Sequence, residues 1–494
     1  MAKGLGTVST KQSVGTRWVS VGIVALVMSA FVPSNASGDN RSAAREGEEL
    51  FTRQWEPGKP ATDGAGDGLG PMFNDVSCVA CHGEGGVGGS GGIEKNAVML
   101  NLGARPFDVS LESFSEQAAR LHPSFVTPND GRFGRVFNRT LVLHKFSTDQ
   151  QYNLILKPFR QVEMLSQVED RDRPTAERKL ASQPKRKFQS EPNSPIHAIL
   201  SQRNSPALFG LGLIDRVSER DLREIQRNQR KKGLVSGKIA RVFEPDRTNQ
   251  FASRIQRGIP VPGKFGWKAQ TGSLAEFVRN ACANELGLQI PDVEQARNPL
   301  DPSYRSADLD LNERQLTALV GFVSSLEKPI EITHTDRLRA ESAQLGKKVF
   351  TKVGCAECHV ENLGEGQTMV VGVYSDLLLH DMGSKLADPM PSGSGGGYYG
   401  IPSSPGSITS TATADVIEQS SESLREWRTP PLWGVSASAP YLHDGRASTL
   451  TEAIIYHAGE AKFSVRNYLR QPPEKRIAMI DFLNTLIPPD QDDI

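Results

Sequence analysis

Cys78-Val79-Ala80-Cys81-His82 is a C-x-x-C-H box, the pattern in which two thiols bond the edge of a c-type haem and the following His becomes the iron's proximal ligand. The box returns as Cys355-Ala356-Glu357-Cys358-His359. A redox dithiol, or a zinc site shared by the four cysteines, does not ask for a His directly after each second Cys. The two boxes thus assign cofactor attachment to Cys78, Cys81, Cys355 and Cys358, and iron ligation to His82 and His359.

The sequence around the boxes is repeated as well. Arg45-Glu46-Gly47-Glu48-Glu49-Leu50-Phe51 leads toward the first box and Gln344-Leu345-Gly346-Lys347-Lys348-Val349-Phe350 toward the second. In each, a Gly stands one helical turn before a Phe, which suits a cytochrome c N-terminal helix packed beside its haem. Downstream, Arg203-Asn204-Ser205-Pro206-Ala207-Leu208-Phe209-Gly210 resembles Arg428-Thr429-Pro430-Pro431-Leu432-Trp433-Gly434. Each of these stretches precedes a helix opened by a capping box, Ser273 with Glu276 and Thr449 with Glu452. The expected fold is mainly α: two tandem cytochrome c-like domains, residues 37–333 and 334–494, the first enlarged by insertions and loops. Gln54 to Ser77 is one such insertion, rich in Gly and Asp. Glu169 to Pro195 and Pro391 to Ala414 read as exposed loops.

Lys+Arg and Asp+Glu are 57 each over 494 residues, a balance that points to neither nucleic acid nor an anionic membrane. Lys3, Lys11 and Arg17 precede an apolar run from Trp18 to Val32, followed by Ser34 and Ala36. This pattern reads as a secretory signal over residues 1–36, cut after Ala36, with an uncleaved anchor as the alternative. No stable membrane insertion is expected, and export to the periplasm agrees with c-type attachment. The boxes use four of the 5 cysteines, leaving Cys282 with no partner for a disulfide. Basic residues gather from Arg227 to Lys232, at the end of a helix opened by Ser218 and Asp221. They are either a solvated last turn favoured by the helix dipole or a docking patch for an acidic electron donor.

Register separates the two haems. The same count from the helix cap reaches His457 in the second copy and Ala281 in the first. A His on an apolar face is a natural sixth ligand, and Ala cannot coordinate. The C-terminal haem is expected to be closed by His457 and the N-terminal one open. His380, Met382 and His443 are rival ligands for the C-terminal iron, and His122 or His144 are candidates for a resting ligand of the first.

Taken together, the chain resembles the bacterial di-haem cytochrome c peroxidase superfamily, and within it the di-haem oxidoreductase branch, often labelled peroxidase or thiol oxidoreductase. The carrying motifs are the two boxes, Leu211-Gly212-Leu213-Ile214-Asp215, Phe265-Gly266-Trp267-Lys268-Ala269, Tyr374-Ser375-Asp376-Leu377 through Gly383, and Ala439-Pro440-Tyr441-Leu442-His443-Asp444-Gly445-Arg446. They span most of the mature chain. The resemblance implies that Trp267 is an electron relay between the haems, although Lys268-Ala269 replace the usual Asp-Gly. It also implies that Glu285 is the distal acid-base beside a peroxide site, in a segment shorter than in typical peroxidases. Ser438 and Pro440 match carbonyl donors of an interdomain calcium site.

The expected activity is reduction of hydrogen peroxide or a related oxidant, with electrons from a small donor protein, a cytochrome c or a cupredoxin, entering at the C-terminal haem. An electron-transfer cytochrome without turnover, and a di-haem oxygenase or cofactor-maturing enzyme, are the alternatives. The family label of thiol oxidation gains nothing from the single Cys282. Mass spectrometry of the mature chain is expected to show two haem additions and a start near Ser37. A single addition would remove the two-haem argument.

Overall fold

The computed structural model describes residues 36–104, 110–123, 138–157, 159, 187–188, 196–245, 259–293, 295–296, 298–301, 303–366, 369–388 and 425–489. The expected signal segment, apart from Ala36, lies outside these residues, as do nearly all of the loop from Glu169 to Pro195 and the whole of Pro391 to Ala414. Residues 42–494 form one compact unit that holds both boxes. No helix among the described residues is long and apolar enough to cross a membrane.

The longer helices among the described residues are α1 (Ala36–Thr52), α2 (Leu111–Leu121), α3 (Glu219–Lys232), α4 (Leu274–Glu285), α5 (Glu313–Ser325), α6 (Arg337–Val353), α7 (Leu450–Tyr456), α8 (Lys462–Leu469) and α9 (Pro473–Leu483). Their starts follow the sequence chemistry closely. Ser218 and Asp221 form a complete capping box on α3, which satisfies two otherwise orphaned backbone donors. Ser273 and Thr449 cap α4 and α7 through their side-chain oxygens. Glu452 does not reach back to the cap residue as the box predicts; its carboxylate takes the backbone N–H and hydroxyl of Ser448.

One helix crossing occurs twice. A Cβ on Gly47 of α1 would fall 2.2 Å from the Ala318 carbonyl oxygen and 2.7 Å from Cβ of Phe322 on α5. A Cβ on Gly346 of α6 would fall 1.9 Å from the Ala478 carbonyl oxygen and 2.8 Å from Cβ of Phe482 on α9. Each glycine therefore lets two helix backbones touch, and the Phe one turn later completes the contact. Phe51 and Phe322 have ring centroids 5.4 Å apart, and Phe350 and Phe482 5.5 Å. A buried Phe contributes about 1.5–3 kcal/mol, and an aromatic pair adds about 0.5–1.5 kcal/mol.

The enlargement of the N-terminal half is not made of loops alone. Strands β1 (Ala97–Ala104), β2 (Asn138–Val142), β3 (Lys187–Phe188) and β4 (Ile196–Arg203) form an antiparallel sheet in the order β2-β1-β4-β3. Val98, Leu100 and Leu102 alternate onto one face and pack with Phe114 and Ala118 of α2, Tyr152 and Leu156. The β1 sequence is apolar at nearly every position, so neither a helical nor a strand period stands out. A larger core carries Leu208, Leu286, Leu319 and Phe322 together with Leu363, Val373, Leu378 and Trp433, so side chains from both sides of the expected boundary at residue 333 share it.

Gly321 lies inside α5 with nothing within 4 Å of the position a Cβ would take, whereas Gly346 has no room. Gly346→Val is expected to lower stability by about 1–3 kcal/mol or more through overpacking, and Gly321→Ala to raise it by about 0.5–1 kcal/mol. Thermal unfolding of the two variants checks the contrast, and equal effects would contradict the crossing.

Candidate functional site

Each box is a tight turn placed at a cavity by its own local chemistry. Ser77 caps the turn Cys78–Cys81 by accepting from the Ala80 N–H. The second box follows Gly354, whose φ of 97° ends α6 and starts a turn over Cys355–Glu357. In both, the His amide donates to the first Cys carbonyl at 3.0 Å. Nδ1 of His82 lies 3.1 Å from the Pro206 carbonyl and 3.3 Å from that of Gly89. Nδ1 of His359 lies 2.9 Å from the Tyr374 carbonyl. Such a bond fixes the tautomer that keeps Nε2 free for a metal. Burial lowers both imidazoles to about 4, so both are neutral at pH 7. Two thiols and one oriented neutral imidazole at the wall of each cavity are the donor set a c-type haem requires.

The cavity of the second box is faced by His457. Its ring centroid is 6.5 Å from that of His359. Two metal–imidazole bonds of about 2 Å and two half-rings of about 1.1 Å span about 6.2 Å, close to that separation. Nδ1 of His457 lies 2.7 Å from the Ala453 carbonyl, which again leaves Nε2 free. It sits one residue past the end of α7, as its C-cap, where the sequence predicts a position on the helix itself.

The rivals are differently placed. His380 has Nε2 at 2.8 Å from Asp376 and Nδ1 at 2.8 Å from Glu460. Although burial alone would lower its pKa, Asp376 and Glu460 hold it well above the ordinary imidazole range. Both of its ring nitrogens are engaged by carboxylates in this arrangement. His443 lies flat on Trp427, with centroids 3.6 Å apart. Met382 and His443 both line the same cavity as His359.

The cavity of the first box is lined by Cys78, Cys81 and His82, with Ala281 and Glu285 from α4. Among the described residues lining it, His82 is the only imidazole and no Met appears. His122 is buried in the sheet core beside Tyr152, and His144 bonds the Asn284 carbonyl at 2.9 Å; neither lines this cavity. Glu285 accepts from Asn74 Nδ2 at 2.7 Å, and its other oxygen is buried without a partner. Burial pushes its carboxyl up to about 7, opposed by Asn74 and Lys145. Cys282 is buried between Ala281 and the core, its thiol pushed up to about 12 by that burial.

Trp267 lines both cavities. Its indole N–H donates to the Asn204 carbonyl at 2.8 Å, and the turn carrying it closes through Phe265 and Thr271. Beside it lies a cluster that the sequence does not reveal. Arg203, at the end of β4, and Lys268 share the buried carboxylate of Asp388 at 2.7 and 3.3 Å. Lys268 Nζ stands 3.6 Å over the ring of Trp427, and burial lowers this amine to about 8. Asn74 is equally unmarked, being one polar residue in the insertion before the first box. The only cluster of three metal-capable side chains among the described residues is Cys358, Asp376 and His380, and Cys358 belongs to the box. Ser438 and Pro440 flank the cavity wall at a cis Ala439–Pro440 bond; the nearby Asp444 carboxylate is committed to Arg446.

The family model described as "Di-haem oxidoreductase, putative peroxidase" matches residues 196–397 and 411–486, more than half of the chain. The chain belongs to the di-haem oxidoreductase family. The matched residues include the second box, Trp267, Glu285 and His457; the first box precedes them. This di-haem oxidoreductase is 26% identical over 168 residues to the hydrazine synthase subunit gamma of Kuenenia stuttgartiensis, covering 31% of the chain and 44% of that relative. It thus spans less than half of the length of the curated relative. A solved structure of Kuenenia stuttgartiensis hydrazine synthase pressurized with xenon is 20% identical, covering 58% of the chain and 73% of that one, with a TM-score of 0.28. A MauG-like protein associated with microbial copper homeostasis is 22% identical, covering 35% and 52%, with a TM-score of 0.21. Membership of the family implies haem cofactors and oxidoreductase chemistry.

The raised pKa of Glu285 sets a pH dependence. A carboxyl whose folded pKa is about 7 rather than 4.5 stabilises the fold below the unfolded value, and that contribution is lost as pH rises through about 7. Between pH 5 and 8 the parent protein is expected to lose thermal stability relative to Glu285→Gln. Asn74→Ala, which removes the donor favouring the carboxylate, is expected to move the midpoint higher still. The protonated carboxyl stretch in infrared difference spectra follows that midpoint, and a downward move would contradict the assignment.

Proposed function

We propose that this protein is a periplasmic di-haem c-type oxidoreductase of the peroxidase kind, reducing hydrogen peroxide or a related oxidant. Cys78 and Cys81 hold one haem with His82 as proximal ligand, in a module of residues 37–333. Cys355 and Cys358 hold the other with His359, in a module of residues 334–494. The doubled Gly–Phe helix crossing supports two cytochrome c-like modules. A calcium ion at the Ser438 and Pro440 carbonyls would be secondary, since the nearby Asp444 carboxylate is taken by Arg446.

The observation that carries the reading is the asymmetry of the two cavities. His457 faces His359 at imidazole–metal–imidazole spacing, which suits a closed electron-transfer centre. Ala281 and Glu285 face the first cavity, where His82 is the only imidazole among the described lining residues, which suits an open one. When bound, haem supplies an open coordination position at the first centre and electron storage at both. Reducing hydrogen peroxide to two waters consumes two electrons and two protons. Glu285, with a pKa of about 7, can take the proton from the inner peroxide oxygen and return it to the leaving oxygen. Asn74 holds one carboxylate oxygen and leaves the other free for that transfer. Trp267, at the wall of both cavities, bridges the route for electrons from the C-terminal side.

Cyanide titration of the ferric holoprotein is expected to load one haem in the parent and two in His457→Gly. Glu285→Gln is expected to keep both haems and their reduction by an artificial donor, while peroxide turnover falls by at least about tenfold, a floor on the usual acid-base range of about 10² to 10⁴. Unchanged turnover would remove Glu285 from the chemistry. Cyanide binding without any turnover in the parent would move the function to an oxygenase or cofactor-maturing enzyme, and binding at neither haem to an electron-transfer cytochrome.

A further inference from the structure

We infer that the last turn of α3 and the surface around the second box dock a small acidic redox protein that delivers electrons. This rests on the reading that electrons enter at the C-terminal haem. The turn runs Arg227-Asn228-Gln229-Arg230-Lys231-Lys232. Arg227, Arg230, Lys231 and Lys232 are exposed, while Gln229 is buried. Gln229 Nε2 donates to the Glu357 carbonyl at 2.9 Å and to Asp376 at 2.7 Å. Glu357 stands between the two cysteines of the box. The one inward side chain of this turn is therefore fastened to the haem-attachment loop itself, Lys232 reaches the acid of the same loop, and the other cations face solvent from the outer side of the turn.

The charge is left open to solvent. Lys232 pairs with Glu357 at 2.9 Å, which neutralises the acid of the box, and Lys238 pairs with Glu426 at 2.5 Å. Among the described residues Arg227, Arg230 and Lys231 have no ion-pair partner. A helix C-terminus carries about half a negative charge, which favours a cation or so but not a run of them. The whole chain is electrically balanced, so the excess is local to this turn.

Apolar surface completes the patch. Leu234, directly after the turn, is 53% exposed and Phe463 of α8 is 55% exposed. Ser236 donates through its amide and hydroxyl to Glu460, both at 2.9 Å, tying the loop after α3 to the turn before α8. A Cβ on Gly354, the residue before Cys355, would lie 2.9 Å from Ser464 and 3.9 Å from the Phe463 ring. Exposed apolar side chains close to unpaired cations suit brief electrostatically steered encounters. In each encounter the partner loses one electron and the C-terminal centre gains it, so two encounters supply one peroxide.

Stopped-flow reduction of the ferric holoprotein tests this with two probes, reduced plastocyanin as an acidic donor and reduced mitochondrial cytochrome c as a basic one. The acidic donor is expected to react faster, at a rate that falls as salt is added. Arg227→Glu/Arg230→Glu/Lys231→Glu should slow it by at least about tenfold at low ionic strength, leaving reduction by ascorbate with a neutral mediator unchanged. Zinc-substituted plastocyanin, followed by NMR shift changes, repeats the comparison independently of driving force. Salt-independent binding, parental behaviour of the triple variant, or preference for the basic donor would overturn the docking surface. If the salt-dependent electron appears first on the N-terminal haem, the surface stands and the entry assignment fails.

Discussion

The carbonyls of Asn204 and Pro206 are the constraint on which the rest of the site depends. One accepts from the indole of Trp267 and the other from the imidazole of His82. The residue before them, Arg203, holds Asp388 and through it Lys268. Three neighbouring positions thus fix the His82 imidazole, the Trp267 indole and a buried ion cluster. Their placement is inherited from β4, whose pairing with β1 runs to Arg203 itself. The sheet is therefore more than filling in the enlarged half: it is the rail that delivers this segment to the site.

Around this fixed frame, the two halves differ in what faces each box. The same Gly-to-backbone contact builds both helix crossings, and both box imidazoles are pinned through Nδ1. Across the cavities the equivalence ends, with a His on one side and a small residue followed by a buried carboxyl on the other. A carboxyl enclosed beside a cavity is destabilising when ionised, and the fold keeps it with only one donor. A buried carboxyl with its pKa raised to about 7 at the wall of a cavity is a candidate for acid-base work.

What is legible in the sequence is whatever depends on spacing along the chain. The boxes, the helix starts at Ser218, Ser273 and Thr449, and the register that sets His457 apart from Ala281 are all local patterns. The four-stranded sheet is hidden because β1 is apolar on both faces and its partners lie far away in the chain. His380 resembles a ligand in the sequence because a motif shows only its neighbours; the two carboxylates that occupy its nitrogens come from Asp376, close by, and Glu460, eighty residues on. Asn74, Asp388 and Trp427 have no local signature, since each acquires its role only through a long-range contact.

The cluster at Trp427 has a further physical consequence. The indole lies against Lys268 at 3.6 Å and the Arg203 guanidinium at 4.9 Å, with the neutral ring of His443 stacked on it. Removing an electron from an indole leaves a positive charge on the ring, and cations this near make that charge unfavourable. Both neighbouring indoles donate to a backbone carbonyl, Trp267 to Asn204 and Trp427 to Leu386, so what sets Trp427 apart is the pair of cations on its ring, partly offset by the Asp388 carboxylate that they share. On the proposed route through Trp267, these cations disfavour the passage of positive charge into the aromatic core behind it.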